Sequence, residues 1–336
     1  MNAIIKISPL GFPWETRDPF IFCAHHRDEF PKGNEEMGPA ELLDGRNIGN
    51  DFVIKDGWRM YHGSKIPGFP YHPHRGFETV TIAKEGFIDH TDSMGASGRF
   101  GAGDVQWMTA GKGVLHSEMF PLINQEEENP TELFQIWLNL PKVSKFVNPH
   151  FKMLWKEVIP VVEIKDENNR KTQIDVISGS FSTTKAPSPT PDSWASKLEN
   201  DVAIWTIKME AGATIKIPKA SSEVNRTLYF YKGKGLEMNG EIIPSYHSIQ
   251  FHPTEALIVK AGEEACYLLL LQGKPISEPV VQHGPFVMNT AQEIQDAFQE
   301  YRETQFGGWP WSQQEQVHDR NIGRFAKHAD GSEEMM

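Results

Sequence analysis

Residues 71–86 read YHPHRGFETVTIAKEG, two histidines around a proline at the head of a β-branched run. Proline donates no ladder hydrogen bond and sits at strand starts or edges, and a histidine pair is an unusual choice for a core, so packing alone does not account for the segment. The run Thr79–Ala83 favours a strand. Side chains alternate along a strand, so His72 and His74 share a face, and an unbroken strand would continue that face through Glu78, Val80 and Ile82. Further on, LHSEMF at 115–120 supplies His116 and Glu118, again two apart and on one face. Two such pairs on neighbouring strands bring three imidazoles and a carboxylate to one point. That donor set suits a divalent first-row metal, Fe(II), Mn, Ni, Co or Zn, with coordination positions left open. A closed structural zinc shell would draw on cysteine, and the only two, Cys23 and Cys266, lie far apart with no CxxC pattern.

Outward from these pairs, glycine punctuates the chain at DSMGASGRFGAGD (92–104) and TAGKG (109–113), with short strand-like runs at Val105–Met108 and LFQIWLNLP (133–141). In the last run Phe134, Ile136, Leu138 and Leu140 alternate with Gln135, Trp137 and Asn139. Closely spaced strands of this kind predict a sandwich or barrel. PKVSKFVNPHF (141–151) reads as a linker, and a second β-rich block runs from Trp155 to Gly273, broken by the turn-forming KAPSPTPDSW at 185–194. The second block echoes the first: ETVTIAKEG (78–86) aligns with RTLYFYKGKG (226–235), which sets Ala220, Ser222 and Arg226 opposite His72, His74 and Glu78. The second copy is therefore expected to keep the scaffold without the site. Near the C-terminus Thr290 and Glu293 form a capping box, and Ile294, Ala297, Phe298 and Tyr301 recur at helical spacing up to Gly307. The expected division is 1–145, an N-terminal metal-binding barrel; 146–289, a degenerate barrel without metal; and 290–336, a helix and tail.

A formal net charge of −12 argues against a general electrostatic grip on nucleic acid or an anionic membrane. No run of about 18 apolar residues and no signal-like N-terminus is present, so a cytoplasmic protein is expected, with the nucleus as an alternative in a eukaryote. The other histidines carry plainer expectations. His25, His26 and His62 are placed near turns as satisfied polar contacts, and His90, in FIDHTDS, on a solvated strand end. His247, His252 and His283 lack a paired ligand, and Glu126–Glu128 reads as a solvated loop.

HPHRGFETVT (72–81), GDVQWMTAGKGVLHSEM (103–119), LFQIWLNLP (133–141) and EPVVQHGPFVMNT (278–290) together resemble the pirin family, a branch of the cupin superfamily. The resemblance implies an all-β fold of two cupin barrels, each a double-stranded β-helix or jelly roll, followed by the C-terminal amphipathic helix. It also implies an iron centre, Fe(II) foremost, held by His72, His74, His116 and Glu118. Glu78 stands about where the general cupin motif carries a liganding glutamate, and is assigned beside the ligands instead. The implied activity is quercetin 2,3-dioxygenase chemistry, cleavage of an aromatic flavonol by O2. Glu118, with Glu78 behind it, is the candidate proton acceptor, and Phe77, Trp107 and Phe120 are candidates to line the pocket. The family also implies an alternative, a non-catalytic redox-sensing regulator that binds transcription factors or metabolic enzymes. A third reading, a cupin isomerase or lyase on a sugar-like substrate, has only Arg75 and Lys112 near the motif to hold a phosphate.

Overall fold

Short β-branched and aromatic runs cut by glycine become strands along nearly the whole chain in the computed structural model, which describes residues 3–336. The chain divides into two compact units. The first contains Ala24–Trp155 and Glu278–Met336. Its five-stranded sheet runs in the order His150–Leu154, Val105–Thr109, Phe77–Glu85, Asn129–Asn139, Phe20–Phe30. Its six-stranded sheet runs Glu333–Met335, Phe325–Lys327, Ser97–Gly101, Phe87–Asp92, Val114–Met119, Gly68–His74. Trp58, Phe100, Phe120, Met153 and Trp155 belong to one buried apolar cluster of this unit.

The second unit combines the segment ending at Cys23 with Lys156–Ser277. It has a seven-stranded and a four-stranded sheet, and Trp205, Leu228, Phe230, Ile215, Phe251 and Leu270 lie in its core. Both units are all-β, as expected, and among the described residues there is one α-helix, Ala291–Thr304.

The units do not follow the linear division at 145 and 289. Ile4–Pro9 pairs antiparallel with His247–Phe251, so the start of the chain completes the second unit. Phe325–Lys327 pairs with Ser97–Gly101, so the tail completes the first. The stretch expected to link the units ends in a strand, His150–Leu154, paired with Val105–Thr109. Edge strands donated from distant sequence leave no compositional boundary, which is why a reading along the chain cannot find them.

The helix starts as its sequence prescribes. Thr290 Oγ1 accepts from the Glu293 N–H at 3.2 Å, and Glu293 Oε2 accepts from the Thr290 N–H at 2.8 Å. Ile294 and Ala297 are buried, in a cluster with Phe286 and Met288 against which Phe298 and Tyr301 pack. Its end comes earlier than the glycine: Gln305 already adopts a left-handed conformation and caps the helix, ahead of Gly307.

Candidate metal centre

Three neighbouring strands of the six-stranded sheet, Phe87–Asp92, Val114–Met119 and Gly68–His74, lay the site out in rows. His72 pairs with His116, which pairs on its other side with Asp92; Glu118 pairs with His90. Cross-strand partners share a face, so one surface carries all of these side chains. The imidazoles of His72, His74 and His116 converge, with ligand atoms within 4.8 Å of one another; His74 and His116 are buried and His72 is partly exposed. Ring centroids lie 4.5 Å apart for His72 and His116 and 4.8 Å apart for His74 and His116.

Hydrogen bonds assign the tautomers of two of these rings. His72 Nδ1–H donates to the Pro70 carbonyl at 2.9 Å, and His74 Nδ1–H donates to the Pro285 carbonyl at 3.4 Å. That leaves a bare lone pair on each Nε2, and the two Nε2 atoms stand 3.1 Å apart. Two lone pairs at that distance repel unless a cation lies between them. A backbone carbonyl behind a ligating imidazole is also the usual outer support of a metal site. His116 is fully buried with neither ring nitrogen hydrogen-bonded, so it too has an unused ligand atom. The residues fit a divalent metal.

Burial holds all three imidazoles neutral. His72 is lowered to about 4, and His74 and His116 well below the usual histidine range, with the neighbouring rings adding to the effect. Glu118 is pushed up to about 7 by burial, against hydrogen bonds from Thr81 and Gln135. A histidine with a depressed folded pKa contributes stability that is present above about pH 6.5 and lost as the pH falls. Glu118 works in the opposite direction, favouring the folded state as the pH falls from about 7 toward 4.5. Three histidines outweigh one carboxylate, so the metal-free protein is expected to lose stability between pH 6.5 and about 4. Urea unfolding at pH 7 and pH 5 checks this; equal midpoints would contradict it.

Glu118 lies beside His116, Oε2 to Nε2 3.7 Å, but it is turned onto other partners. Gln135 Nε2 donates to its Oε2 at 2.8 Å, and Thr81 Oγ1 lies 3.1 Å from its Oε1 and 2.6 Å from Gln135 Oε1. Thr81 and Gln135 were not among the expected residues. In 133–141 the apolar alternation drew attention to Phe134 and Ile136, whereas Gln135 touches Glu118, and Trp137 lies 5.4 Å from the His74 ring.

Glu78 does not join the site, which corrects its expected role. Gly76 has φ +86°, and a Cβ there would stand 2.0 Å from the Val287 carbonyl oxygen; this turn resets the alternation between His74 and Phe77. Phe77 packs on His74 at 4.9 Å, Thr81 reaches Glu118, and Glu78 falls on the opposite face. There its carboxylate accepts from Thr109 Oγ1 at 2.7 Å and Trp107 Nε1 at 3.3 Å, so Trp107 also leaves the pocket wall. Phe120 packs on Tyr61 and Phe69, and Phe69 lies 6.3 Å from His72. Arg75 is buried, donating to the Lys112 carbonyl and to Glu300, so it does not face a phosphate.

His90 is the second correction: far from solvated, it is fully buried, 5.6 Å from the His116 ring. HTD at 90–92 repeats the two-residue spacing of HPH and HSE, a signal that was present in the sequence. His25 and His26 meet Glu132 and Tyr61 as polar contacts, but from within a strand, Phe20–Phe30, rather than a turn.

Two all-β units, one of which gathers three buried or half-buried imidazoles beside a carboxylate as a candidate metal site, define a protein of the two-barrel cupin class. Residues 11–138 match the family Pirin, and residues 204–307 match the Pirin C-terminal cupin domain. Pirin-1 of Arabidopsis thaliana is 37% identical over 242 residues, 71% of this chain and 78% of that protein. Pirin of Homo sapiens is 34% identical over 252 residues, 74% of this chain and 80% of that protein. Among solved structures, a quercetin 2,3-dioxygenase from Acinetobacter baumannii aligns with a TM-score of 0.71 at 25% identity, covering 91% of this chain and 98% of that one. The chain belongs to the pirin family.

Proposed function

We propose that this protein is a dioxygenase of the quercetin 2,3-dioxygenase type, with Fe(II) held by His72, His74, His116 and Glu118. The observation that carries the proposal is the pair of bare Nε2 lone pairs 3.1 Å apart, each ring fixed from behind by a carbonyl. When bound, the metal supplies a Lewis acid with open positions that makes a flavonol hydroxyl acidic and brings it together with O2. Glu118, buried beside the imidazoles, is the group placed to take the hydroxyl proton. Gln135 and Thr81 hold the two oxygens of that carboxylate in place. Phe77, Trp137 and Phe69 lie against the imidazoles and offer an apolar wall to a flat aromatic substrate. The relative of known structure named a quercetin 2,3-dioxygenase supports the substrate class.

The test is to load the protein with Fe(II) under anaerobic conditions, add quercetin, admit oxygen and follow O2 uptake and carbon monoxide release. Metal-dependent uptake is the expected result. An iron-loaded protein that consumes no oxygen would remove the dioxygenase reading. In that case a redox-sensing role, in which oxidation of the metal changes the charge of the centre, would account for the same ligands.

A further inference from the structure

Of the three imidazoles, two have their second nitrogen fixed by a backbone carbonyl and the third does not. On the metal-site reading His116 gives Nε2, the nitrogen on the side of Glu118, to the cation, which leaves Nδ1 to carry the proton, and that Nδ1 is buried without a hydrogen-bond partner. Beside it lies a second histidine with the complementary deficit. His90 is fully buried, and its ring stacks on Phe151 at 4.8 Å with an interplanar angle of 13°. His90 Nε2 faces Asp92 Oδ2 at 3.4 Å, and Asp92 is itself anchored, accepting through Oδ1 from the N–H groups of Met94 at 2.9 Å and Ala96 at 3.0 Å. A carboxylate on Nε2 selects the tautomer with its proton there, so His90 Nδ1 is left as a bare acceptor. That atom is buried and unpartnered as well. One orphaned donor and one orphaned acceptor therefore sit on rings whose centroids are 5.6 Å apart. Leaving both unpaired in a dry interior is costly, and neighbouring rings of this kind satisfy such a pair directly or through a bridging water.

We propose that Asp92 and His90 form the outer support of the metal centre, with His90 Nδ1 accepting the Nδ1–H of His116. In this role His90 is a positioning residue. It fixes the tautomer and orientation of His116 and raises the basicity of its ligating nitrogen, as the carbonyls of Pro70 and Pro285 do for the other two rings. The inference rests on the metal-site reading above.

The experiment strips metal from the full chain, titrates it with Co(II) against a competing chelator and records the ligand-field absorption bands. The wild type is compared with His90→Phe, His90→Gln and Asp92→Asn. His90→Phe keeps a flat ring against Phe151 and has no acceptor; about 10- to 100-fold weaker Co(II) binding and shifted bands are expected. His90→Gln, whose amide oxygen accepts a hydrogen bond, is expected to recover part of both. Asp92→Asn is expected to weaken binding with His90 still present. A purely structural role would lower stability without moving the bands of the Co(II) that does bind. His90→Phe with wild-type affinity and an unchanged spectrum would overturn the inference and leave the metal site standing. Should His90→Phe fail to fold, wild-type affinity and an unchanged spectrum in Asp92→Asn would overturn it equally. A wild type that binds no Co(II) would remove the metal reading itself, a distinct result.

Discussion

Replacing His116 with alanine is expected to strip the protein of high-affinity metal while leaving the metal-free fold close to its original stability. The two halves of this prediction have different causes. Full binding of a structural divalent ion by four protein ligands is worth about 10–16 kcal/mol, so one lost ligand removes roughly 3 kcal/mol, a hundredfold or more in affinity. Alanine also opens a small cavity, which destabilises. Against this, both nitrogens of the buried imidazole lack hydrogen bonds, and removing them relieves a desolvation cost of about 1–3 kcal/mol. The measurement is a thermal melt with and without added metal. In the wild type the metal raises Tm through its preference for the folded state; in His116→Ala it should not. A variant that still gains Tm at the same metal concentration would mean that His116 is not a ligand.

Asp89→Ala is expected to cost about 3–5 kcal/mol, the loss found when a buried ion pair is broken from one side. Asp89 and Arg99 are both fully buried and meet through two hydrogen bonds of 2.7 Å. Arg99 also donates to the carbonyls of His318, Asp319 and Arg320, and Asp89 accepts from the His318 N–H at 2.8 Å. Without Asp89 the guanidinium is left buried with no counter-charge, only carbonyl oxygens and the Met37 sulfur, and the tail loses one of its own anchors. Urea denaturation gives the cost, and limited proteolysis should show earlier cleavage in 309–336. A change below about 1 kcal/mol would put this pair with exposed ones such as Lys6 and Glu15, which contribute little.

How much of this was legible in the sequence depended on whether a feature was local. His72, His74 and His116 could be found because HxH and HxE fix a shared face over two residues, whatever lies elsewhere. The capping box at Thr290 is local in the same way. Glu78 misled because the inference from His74 assumed an unbroken strand, and the turn at Gly76 reset the alternation. Thr81 and Gln135 stayed hidden because their value depends on which strands face each other. His90 and Asp92 carried the right spacing, yet their burial comes from Phe151 and from the tail, both remote in sequence. The crossed membership of the two termini could not be read from composition, since an edge strand in a borrowed sheet looks like any other strand.

That crossing bears on how the protein is made. Ser97–Gly101 stays an open sheet edge until Phe325–Lys327 has been synthesised, and Arg99 lacks its carbonyl partners until residues 318–320 follow. Domains that are contiguous in sequence can fold one after another as the chain emerges from the ribosome. Here the unit with the candidate metal site must wait, its exposed edge in need of protection, until residues 318–327 have emerged. Metal loading in the cell is accordingly expected to follow translation, and a nascent chain stalled before residue 318 should hold its metal poorly even with all four candidate ligands already in place.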